Sequence, residues 1–288
     1  MDIGRAVLTV LLIPGLIYMF VKSDRTEELL FPKLIGYCFL GSFRFNLNRI
    51  AIPLGFIIYM LWMHPKQNAA SKRQAAILGL VFFLIGLVAP AVENYIYRLP
   101  IEVETQSANI FDIDFQRDWL AIKQRLDLPD DTRIEYFDAE FEGDGSIRNL
   151  CYQLIARGNE GLVLYDVSLG GGKKAYRIRR TRLDQWLQYG RLVTAARFFE
   201  VLTILEIEEI KPQQDYEYYC ISGHGEAVSY GITNREKFLV DGNNGDISSI
   251  GDRQLPVKCY YISVYGMAKM GETSYESRDV RDYLFDAF

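Results

Sequence analysis

Histidine is nearly missing from this sequence of 288 residues, which contains only His64 and His224. His64 lies in a basic stretch between apolar runs, so the C-terminal two thirds hold a single imidazole, His224. A zinc site needs several nitrogen or sulfur ligands at defined spacings, and cysteine pairs at such spacings are also missing. The sequence therefore excludes a multi-histidine metal site, and we expect no cofactor, no metal and no catalytic residue.

Cysteine is also scarce, with four residues in the whole chain. Cys38 lies in an apolar run, whereas Cys151, Cys220 and Cys259 lie in strand-like runs. Four cysteines are too few to build a disulfide scaffold, and an odd number in the C-terminal part allows one bridge at most. We expect buried free thiols, with Cys220 and Cys259 as the only pair to test.

Catalytic motifs are scarce as well, and no G-x-S-x-G string occurs. Ser222-Gly-His-Gly-Glu226 contains a serine, a histidine and an acid, but three neighbours on one turn cannot form a triad. Gly170-Gly-Gly-Lys-Lys174 lacks the spacing of a phosphate-binding loop. Asp241-Gly-Asn-Asn-Gly-Asp246 lacks the ligand pattern of a calcium loop. All three strings favour turns between strands over catalytic or ion-binding sites.

Charge divides the chain near Arg98. Residues 1–98 carry ten basic and five acidic side chains, whereas the remaining 190 residues carry 22 basic and 32 acidic ones, a net charge of −10. Basic loops beside apolar runs suit contact with the anionic headgroups of a lipid bilayer. An acidic domain repels nucleic acid, so we expect a lipid partner and no nucleic-acid partner.

Long apolar runs are confined to the first 98 residues and predict a transmembrane helical region there. A helix needs about 20 apolar residues to cross a bilayer, and candidate spans cover residues 3–21, 29–43, 45–63 and 75–92. The middle two are short, so the prediction is a bundle of four spans, with three as the alternative.

Basic residues in the short loops give the orientation of this bundle. Lys66, Lys72 and Arg73 share one loop without an acid, which places that loop in the cytoplasm and the C-terminal domain outside. Arg44 and Arg49 would then lie on the outer side, so the inverted orientation stays open. The predicted location is a multi-pass protein of the cell membrane with an extracytoplasmic domain.

Polar side chains within the apolar region are candidate functional groups, because burial in lipid is costly for them. Asn46, Asn48 and Arg49 form such a candidate polar cluster between the two middle spans. The alternative, which we favour, is that the arginine reaches the interface and the asparagines form a turn.

From residue 99 to residue 288 the pattern predicts a soluble α+β domain with an antiparallel sheet. Phe115, Trp119, Ile122 and Leu126 recur at helical spacing, and further helices are predicted at Leu183–Leu205 and Ser277–Ala287. Short alternating runs separated by glycine-rich turns predict the strands. A helix followed by strands occurs twice, which indicates two sub-repeats, residues 101–180 and 181–288.

The strings Tyr216-Glu-Tyr-Tyr-Cys-Ile-Ser222 and Lys237-Phe-Leu-Val-Asp-Gly-Asn-Asn-Gly-Asp-Ile247 resemble the closing strands of PepSY-type domains. About thirty residues carry this resemblance. It implies a small extracytoplasmic module with a helix against an antiparallel sheet, of a kind that binds or restrains other proteins. It identifies no functional residue.

Tyrosine is abundant, with nineteen residues, and seven of these crowd the C-terminal strands. Rigid amphipathic rings on an open sheet face favour protein contact, so Tyr218, Tyr230, Tyr261 and His224 form a candidate binding surface. Ordinary packing of the rings within the sheet is the alternative, and we favour it.

The function predicted from the sequence is a membrane-anchored, non-enzymatic, extracytoplasmic binding or regulatory module that contacts a protein or cell-envelope ligand. The alternative is an accessory subunit or small transporter whose function lies in the membrane bundle. A hydrolase with an acidic cleft is a third hypothesis.

Overall fold

The structure is a computed structural model that describes residues 3–47, 50–158, 161–242 and 245–286. The chain divides into two compact units, Met1–Tyr97 and Arg98–Phe288.

The N-terminal unit consists of helices and one short hairpin. Its elements are α1 (Ile3–Lys22), α2 (Leu30–Ser42), β1 (Phe45–Leu47), β2 (Ile50–Ile52), α3 (Leu54–Trp62) and α4 (Ala69–Tyr97). Helices α2 and α4 approach closely at Gly41 and Gly79, because a Cβ atom on either glycine would lie 2.1 Å from a carbonyl oxygen of the other helix. These two glycines therefore allow α2 and α4 to pack closely together.

The predicted bundle of four spans, or of three, is wrong. Among the described residues, α4 is the single helix whose length and composition would allow it to cross a membrane. Helices α2 and α3 have 13 and 9 residues, too short for the roughly 20 that a crossing needs. The hairpin β1–β2 interrupts the apolar stretch that the sequence presented as two joined spans. The prediction of an integral, multi-pass membrane protein therefore loses its basis.

A buried carboxylate organises one end of this unit. Glu27 accepts hydrogen bonds from Lys72 Nζ at 2.6 Å, Lys33 Nζ at 2.9 Å and Asn68 Nδ2 at 3.0 Å. Lys72 is itself buried and also donates to the carbonyl oxygen of Gln67. Lys72, one of the three basic residues used to orient the chain, is therefore neutralised by Glu27.

The C-terminal unit is built on one mixed sheet. Within the described residues its ten strands lie in the order β10-β9-β12-β11-β8-β4-β5-β6-β7-β3. The strands are β3 (Ile101–Glu104), β4 (Arg133–Phe141), β5 (Ile147–Gly158), β6 (Gly161–Gly170), β7 (Ala175–Leu183), β8 (Tyr218–Tyr230), β9 (Glu236–Val240), β10 (Ile247–Ser249), β11 (Val257–Lys269) and β12 (Tyr275–Asp286). The helices are α5 (Phe115–Leu126), α6 (Ala195–Ile204) and α7 (Ile207–Ile210), with 3-10 turns at Tyr189–Arg191 and Asp252–Gln254.

Helices α5 and α6 cover one face of this sheet and form its main core. The ring of Phe115 on α5 lies 5.8 Å from Phe137 on β4, and Phe198 on α6 lies 5.6 Å from the same ring. Phe115 and Phe199 stack at 6.4 Å between the two helices. The predicted helix from Phe115 to Leu126 is confirmed.

The two predicted sub-repeats meet in one continuous sheet. A helix precedes four antiparallel strands in the first half, and α6 and α7 precede the remaining strands in the second. Strands β4 and β8, the first long strand of each half, pair side by side with Ala139 opposite Ile221. The domain is therefore one large mixed sheet, since β12 also pairs with β9 in the parallel direction.

The predicted final helix at Ser277–Ala287 is wrong, because residues 275–286 form strand β12. Tyr283 and Phe285 pack into the main core, whereas Leu284 packs on the opposite face of the sheet. A strand buried on both faces has a continuous apolar run, which periodicity does not distinguish from a helix.

The predicted helix Leu183–Leu205 is only half present. Strand β7 ends at Leu183, and α6 begins at Ala195 after Thr194, whose side chain caps it by accepting from the Arg197 N–H. The residues between them cross the sheet as an irregular segment. Leu187, which the pattern placed on an apolar helix face, is 91% exposed.

The PepSY-like pairing of the two quoted strings is not formed. Strand β8 pairs with β4 and β11, whereas β9 pairs with β12 and β10. The turn predicted at Asp241–Asp246 includes Asn243 and Asn244, which lie outside the described residues.

Candidate binding site

The face of the sheet opposite α5 and α6 carries the candidate site. Tyr136 on β4 lies opposite both Gln153 on β5 and His224 on β8, and His224 in turn lies opposite Tyr261 on β11. Opposed residues of paired strands point to the same face. These four side chains therefore form one row across the open face.

His224 belongs to a strand and not to the predicted hairpin loop, since β8 continues from Tyr218 to Tyr230. The flanking glycines are required by close neighbours. A Cβ atom at Gly223 would lie 2.8 Å from the Phe198 ring, and one at Gly225 would lie 1.7 Å from the Ile134 carbonyl oxygen. Two glycines that resemble a turn in sequence thus allow a long strand to pass under α6 and beside β4.

A buried carboxylate, Asp282, lies on β12 next to this row of side chains. Asp282 on β12 is fully buried and accepts hydrogen bonds from the hydroxyl groups of Tyr230 and Ser263. Arg235 Nη1 lies 3.4 Å from Asp282 Oδ2, and the arginine side chain is 48% exposed. Asp282 therefore anchors Arg235 from below, while the guanidinium group, with its five N–H donors, reaches the solvent.

Two small apolar clusters cover other parts of the open face. Ile155, Tyr189 and Leu192 pack together where the segment after β7 crosses the sheet. On the other side, Tyr230, Ile250, Cys259 and Leu284 form a second cluster.

A cleft of about 490 Å³ lies on the open face over β8, β11 and β12. Its lining combines tyrosine rings, serine hydroxyls and two basic side chains: Ser222, His224, Arg235, Tyr261, Ser263, Tyr265, Met267, Tyr275, Ser277 and Val280. This volume lies within the range of small-molecule sites, roughly 300 to 1,000 Å³.

Of the four side chains predicted to form a binding surface, His224 and Tyr261 line this cleft. Tyr218 lies beside it, with its ring 5.4 Å from the ring of Tyr275 and 4.5 Å from the Arg148 guanidinium carbon. Tyr230 is buried and uses its hydroxyl to hold Asp282. Alternation along the strands was enough to identify the face but not the depth of each ring.

Several cleft residues carried no signal in the sequence. Arg235 lies in the connector between β8 and β9, and its position depends on Asp282, which is 47 residues away and lay in a predicted helix. Tyr275 and Ser277 reach the cleft only because residues 275–286 form a strand.

The predicted polar cluster of the N-terminal unit has a different setting. Asn46 is exposed on β1, opposite Ala51. Asn48 and Arg49 lie outside the described residues.

Nucleophilic chemistry beside the cleft is suppressed by burial. Burial raises the pKa of the Cys220 thiol to about 12, with Asp138 and Glu140 acting in the same direction. Burial likewise raises the pKa of Tyr265 to about 12. At neutral pH the Cys220 thiol and the Tyr265 hydroxyl are therefore protonated, so they offer hydrogen bonds and not nucleophiles.

All four cysteines are free, as predicted. Cys220 lies opposite Tyr265 on the paired strand, whereas Cys259 lies opposite Val228.

A second cleft, of about 450 Å³, lies between the segment before α5 and the end of α6. Five carboxylates line it above an apolar floor: Asp112, Asp114, Glu206, Glu208 and Glu209. Asp114 is already used as the N-cap of α5, accepting from the Arg117 N–H. In the part of the chain that the structure describes, no group of three or more His, Cys, Asp or Glu side chains is arranged to hold a metal.

The fold and the cleft define an α+β protein with a ligand-sized site on the open face of a mixed sheet. The chain belongs to an archaeal protein family whose model matches residues 116–284, more than half of its length. The match runs from α5 to β12 and so includes every residue that lines the cleft. No curated protein and no solved structure matches the chain. Family membership by itself specifies no ligand and no reaction.

Proposed function

We propose that this protein is a non-enzymatic binding or regulatory module that holds its ligand in the cleft on the open face of its C-terminal sheet. The observation that carries this proposal is the cleft itself, an exposed concave surface in which tyrosine rings and serine hydroxyls are fixed on three paired strands. Rigid aromatic anchors with nearby polar groups are typical of recognition surfaces.

The contacts within the cleft support binding over catalysis. The Ser263 hydroxyl donates to Asp282, a buried carboxylate that also accepts from Tyr230 and lies 3.4 Å from Arg235 Nη1. The serine of a catalytic triad is bonded to a histidine that a third group orients. Ser263 is itself buried and its hydroxyl is directed to Asp282, so it serves to position that carboxylate.

The alternative, an accessory subunit or transporter that acts through a membrane bundle, depended on several complete spans. It loses that support because α2 and α3 are short. The lipid partner and the extracytoplasmic location stay predictions, and the proposed binding function does not depend on them.

The proposal is tested with methyl groups that report on the cleft. Met267 lines the cleft, whereas Met270 is 61% exposed beyond the end of β11. The full chain, labelled with ¹³C at its methionine methyl groups, would be titrated with four ring-bearing probes: phenyl phosphate, benzoate, benzamide and methyl glucoside. We expect at least one probe to shift the Met267 signal saturably and to leave the Met270 signal in place.

A blocking variant makes this experiment specific. Ser277 is exposed and lines the cleft, so Ser277→Trp should fill the cleft without disturbing the core. Ser229→Trp places the same ring at an exposed position of β8 that does not line the cleft. The Ser277 variant should lose the Met267 response and the Ser229 variant should retain it. A Met267 signal that stays unchanged with all four probes would contradict the proposed function.

A further inference from the structure

One exposed guanidinium group faces the open-face cleft, although residues 99–288 carry a net charge of −10. Arg235 is paired with Asp282, and Asp138 on β4 lies opposite Ser222, so the cleft has no large net positive charge. What the cleft offers to an anion is the set of Arg235 N–H donors on the solvent side.

Arg235 is built into the site and is not a loose surface residue. Its Nη1 atom donates to Asp282, a carboxylate that is fully buried and also accepts from Tyr230 and Ser263. Lys237, the neighbour of Asp282 on β9, is directed to Asp252 Oδ1 at 2.7 Å and to the Thr233 carbonyl oxygen. The ammonium group of Lys237 is therefore committed elsewhere, and Arg235 is the cation that serves the cleft.

The walls of the cleft are suited to a flat ring. The rings of Tyr261, Tyr265 and Tyr275 all line it. Two of them are fixed by neighbouring rings, since Tyr261 lies 5.7 Å from Tyr230 and Tyr275 lies 5.4 Å from Tyr218. Preorganised aromatic walls favour stacking with a ligand ring because little side-chain freedom is lost on binding.

We infer that the cleft binds a small organic anion in which a carboxylate or phosphate group is attached to a flat ring. Arg235 is the anion-binding residue, and Asp282 is the positioning residue that holds its guanidinium group. The ring lies against Tyr261, Tyr265 and Tyr275, and the hydroxyl of Ser277 is available at the rim. This inference rests on the proposed binding function and names the ligand class of that site.

The test compares charged and neutral ligands of one shape on the full chain. Dissociation constants for phenyl phosphate, benzoate, benzamide and benzyl alcohol would be measured from the Met267 methyl shift. We expect each anion to bind at least about tenfold more tightly than the neutral probes, because a hydrogen bond to a charged group is stronger than one between neutral groups.

Variants then assign the anion contact to Arg235. Arg235→Gln should weaken phenyl phosphate binding by about tenfold or more and leave benzyl alcohol binding unchanged. Arg235→Lys should recover part of the affinity, because a lysine keeps the charge but lacks the planar donor fork. Arg253→Gln removes a positive charge from an exposed position outside the cleft and should leave all constants unchanged.

The outcomes separate this inference from the proposed function. Neutral and anionic probes that bind equally well at Met267, or anion binding that survives Arg235→Gln, would overturn the inference while the cleft remained a binding site. An acidic peptide that shifts Met267 when phenyl phosphate does not would also overturn it. The absence of any response at Met267 would contradict the function itself.

Discussion

At the scale of single residues, Asp118 shows how a buried carboxylate links stability to pH. It lies on α5 with little exposure, and its Oδ2 atom accepts from the Thr105 hydroxyl at 2.6 Å and from the Tyr176 hydroxyl at 2.9 Å. Burial raises the pKa of Asp118 above 3.8, although both hydrogen bonds act in the opposite direction. The native state therefore keeps this proton to a higher pH than the unfolded chain does.

We predict that the free energy of unfolding of the Asp118→Asn variant increases, relative to that of the native sequence, as the pH rises. Ionisation of Asp118 reduces the free energy of unfolding from pH 3.8 upward, through the raised pKa, and asparagine removes that titration while its carbonyl oxygen still accepts both hydroxyls. Urea unfolding at a series of pH values, followed by near-ultraviolet circular dichroism, measures the difference. Asp215→Asn, at an exposed position, is the control and should show no such trend. A constant difference between pH 4 and pH 7 for the Asp118 variant would contradict this account.

Residue types and strand alternation placed two of the four predicted surface side chains on one face, because alternation along a strand is a local property. His224 and Tyr261 were predicted for one surface, and both line the cleft. Tyr230 is a tyrosine in a strand like Tyr261, but it is buried because Ile250 and Leu284, which are distant in sequence, pack against it. Arg235 could not be predicted, because its anchor, Asp282, lies on another strand.

At the scale of the elements, the packing of strand β8 depends on two glycines, Gly223 and Gly225, because a Cβ atom at either position would clash with a neighbour. We predict that Gly225→Ala lowers the free energy of unfolding by about 1 to 3 kcal/mol, the usual cost of overpacking. Gly223→Ala should also destabilise, but less, because the atom in its way is a side-chain ring and not the backbone of β4. Gly231→Ala is the matched control just beyond β8, where a Cβ atom would meet nothing within 4 Å. Equal midpoints of chemical unfolding for all three variants would show that the close contacts at Gly223 and Gly225 do not affect stability, which would contradict the prediction.

In the N-terminal unit, Glu27 joins the segment before α2 to the start of α4. Hydrogen bonds from Lys72, then Lys33 and Asn68, lower the pKa of Glu27 from 4.5 to about 2. Its stabilising effect is therefore fully present above pH 4.5 and is lost as the pH falls toward 2.

We predict that Glu27→Gln increases amide hydrogen exchange in the first turns of α4, because buried Lys72 is left without its carboxylate partner. Lys33→Gln should have a smaller effect, since the Lys33 side chain is 45% exposed. Glu28→Gln, at the exposed neighbouring position, is the control. Exchange measured by mass spectrometry at pH 7 compares the three, and equal protection in all of them would contradict a stabilising role for Glu27.

The elements that were predicted correctly are those with one buried face. Helix α5 has Phe115, Trp119 and Ile122 on a single apolar stripe, and it ends at Leu126, before Leu128 as predicted. The last part of strand β12, residues 282–285, is buried on both faces of the sheet, so its pattern resembled a helix. The segment before α6 carried apolar residues at helical spacing, but Leu187 among them is exposed.

At the scale of the whole molecule, the arrangement of strands could not be read from the sequence. Local turns predict hairpins, yet β8 and β9 are consecutive in the chain and lie apart in the sheet, with β11 and β12 between them. The number of membrane spans was predicted wrongly for a related reason. Hydropathy measured the total length of apolar sequence, whereas the hairpin β1–β2 divides that length into helices too short to span a bilayer.

The cleft, by contrast, is a property of the assembled sheet. The pairing of β8, β11 and β12 brings Ser222, Ser263 and Ser277, which lie up to 55 residues apart in the sequence, onto the same surface as the tyrosine rings. Small apolar clusters on either side leave this part of the open face uncovered.

The most direct measurement is a crystal structure of the full chain with phenyl phosphate at a saturating concentration. We predict that the phosphate oxygens lie within hydrogen-bond distance of the Arg235 guanidinium group and that the phenyl ring lies among Tyr261, Tyr265 and Tyr275. Ligand bound in the acidic cleft beside α6, or an open-face cleft that remains empty while the ligand is bound elsewhere, would contradict the account.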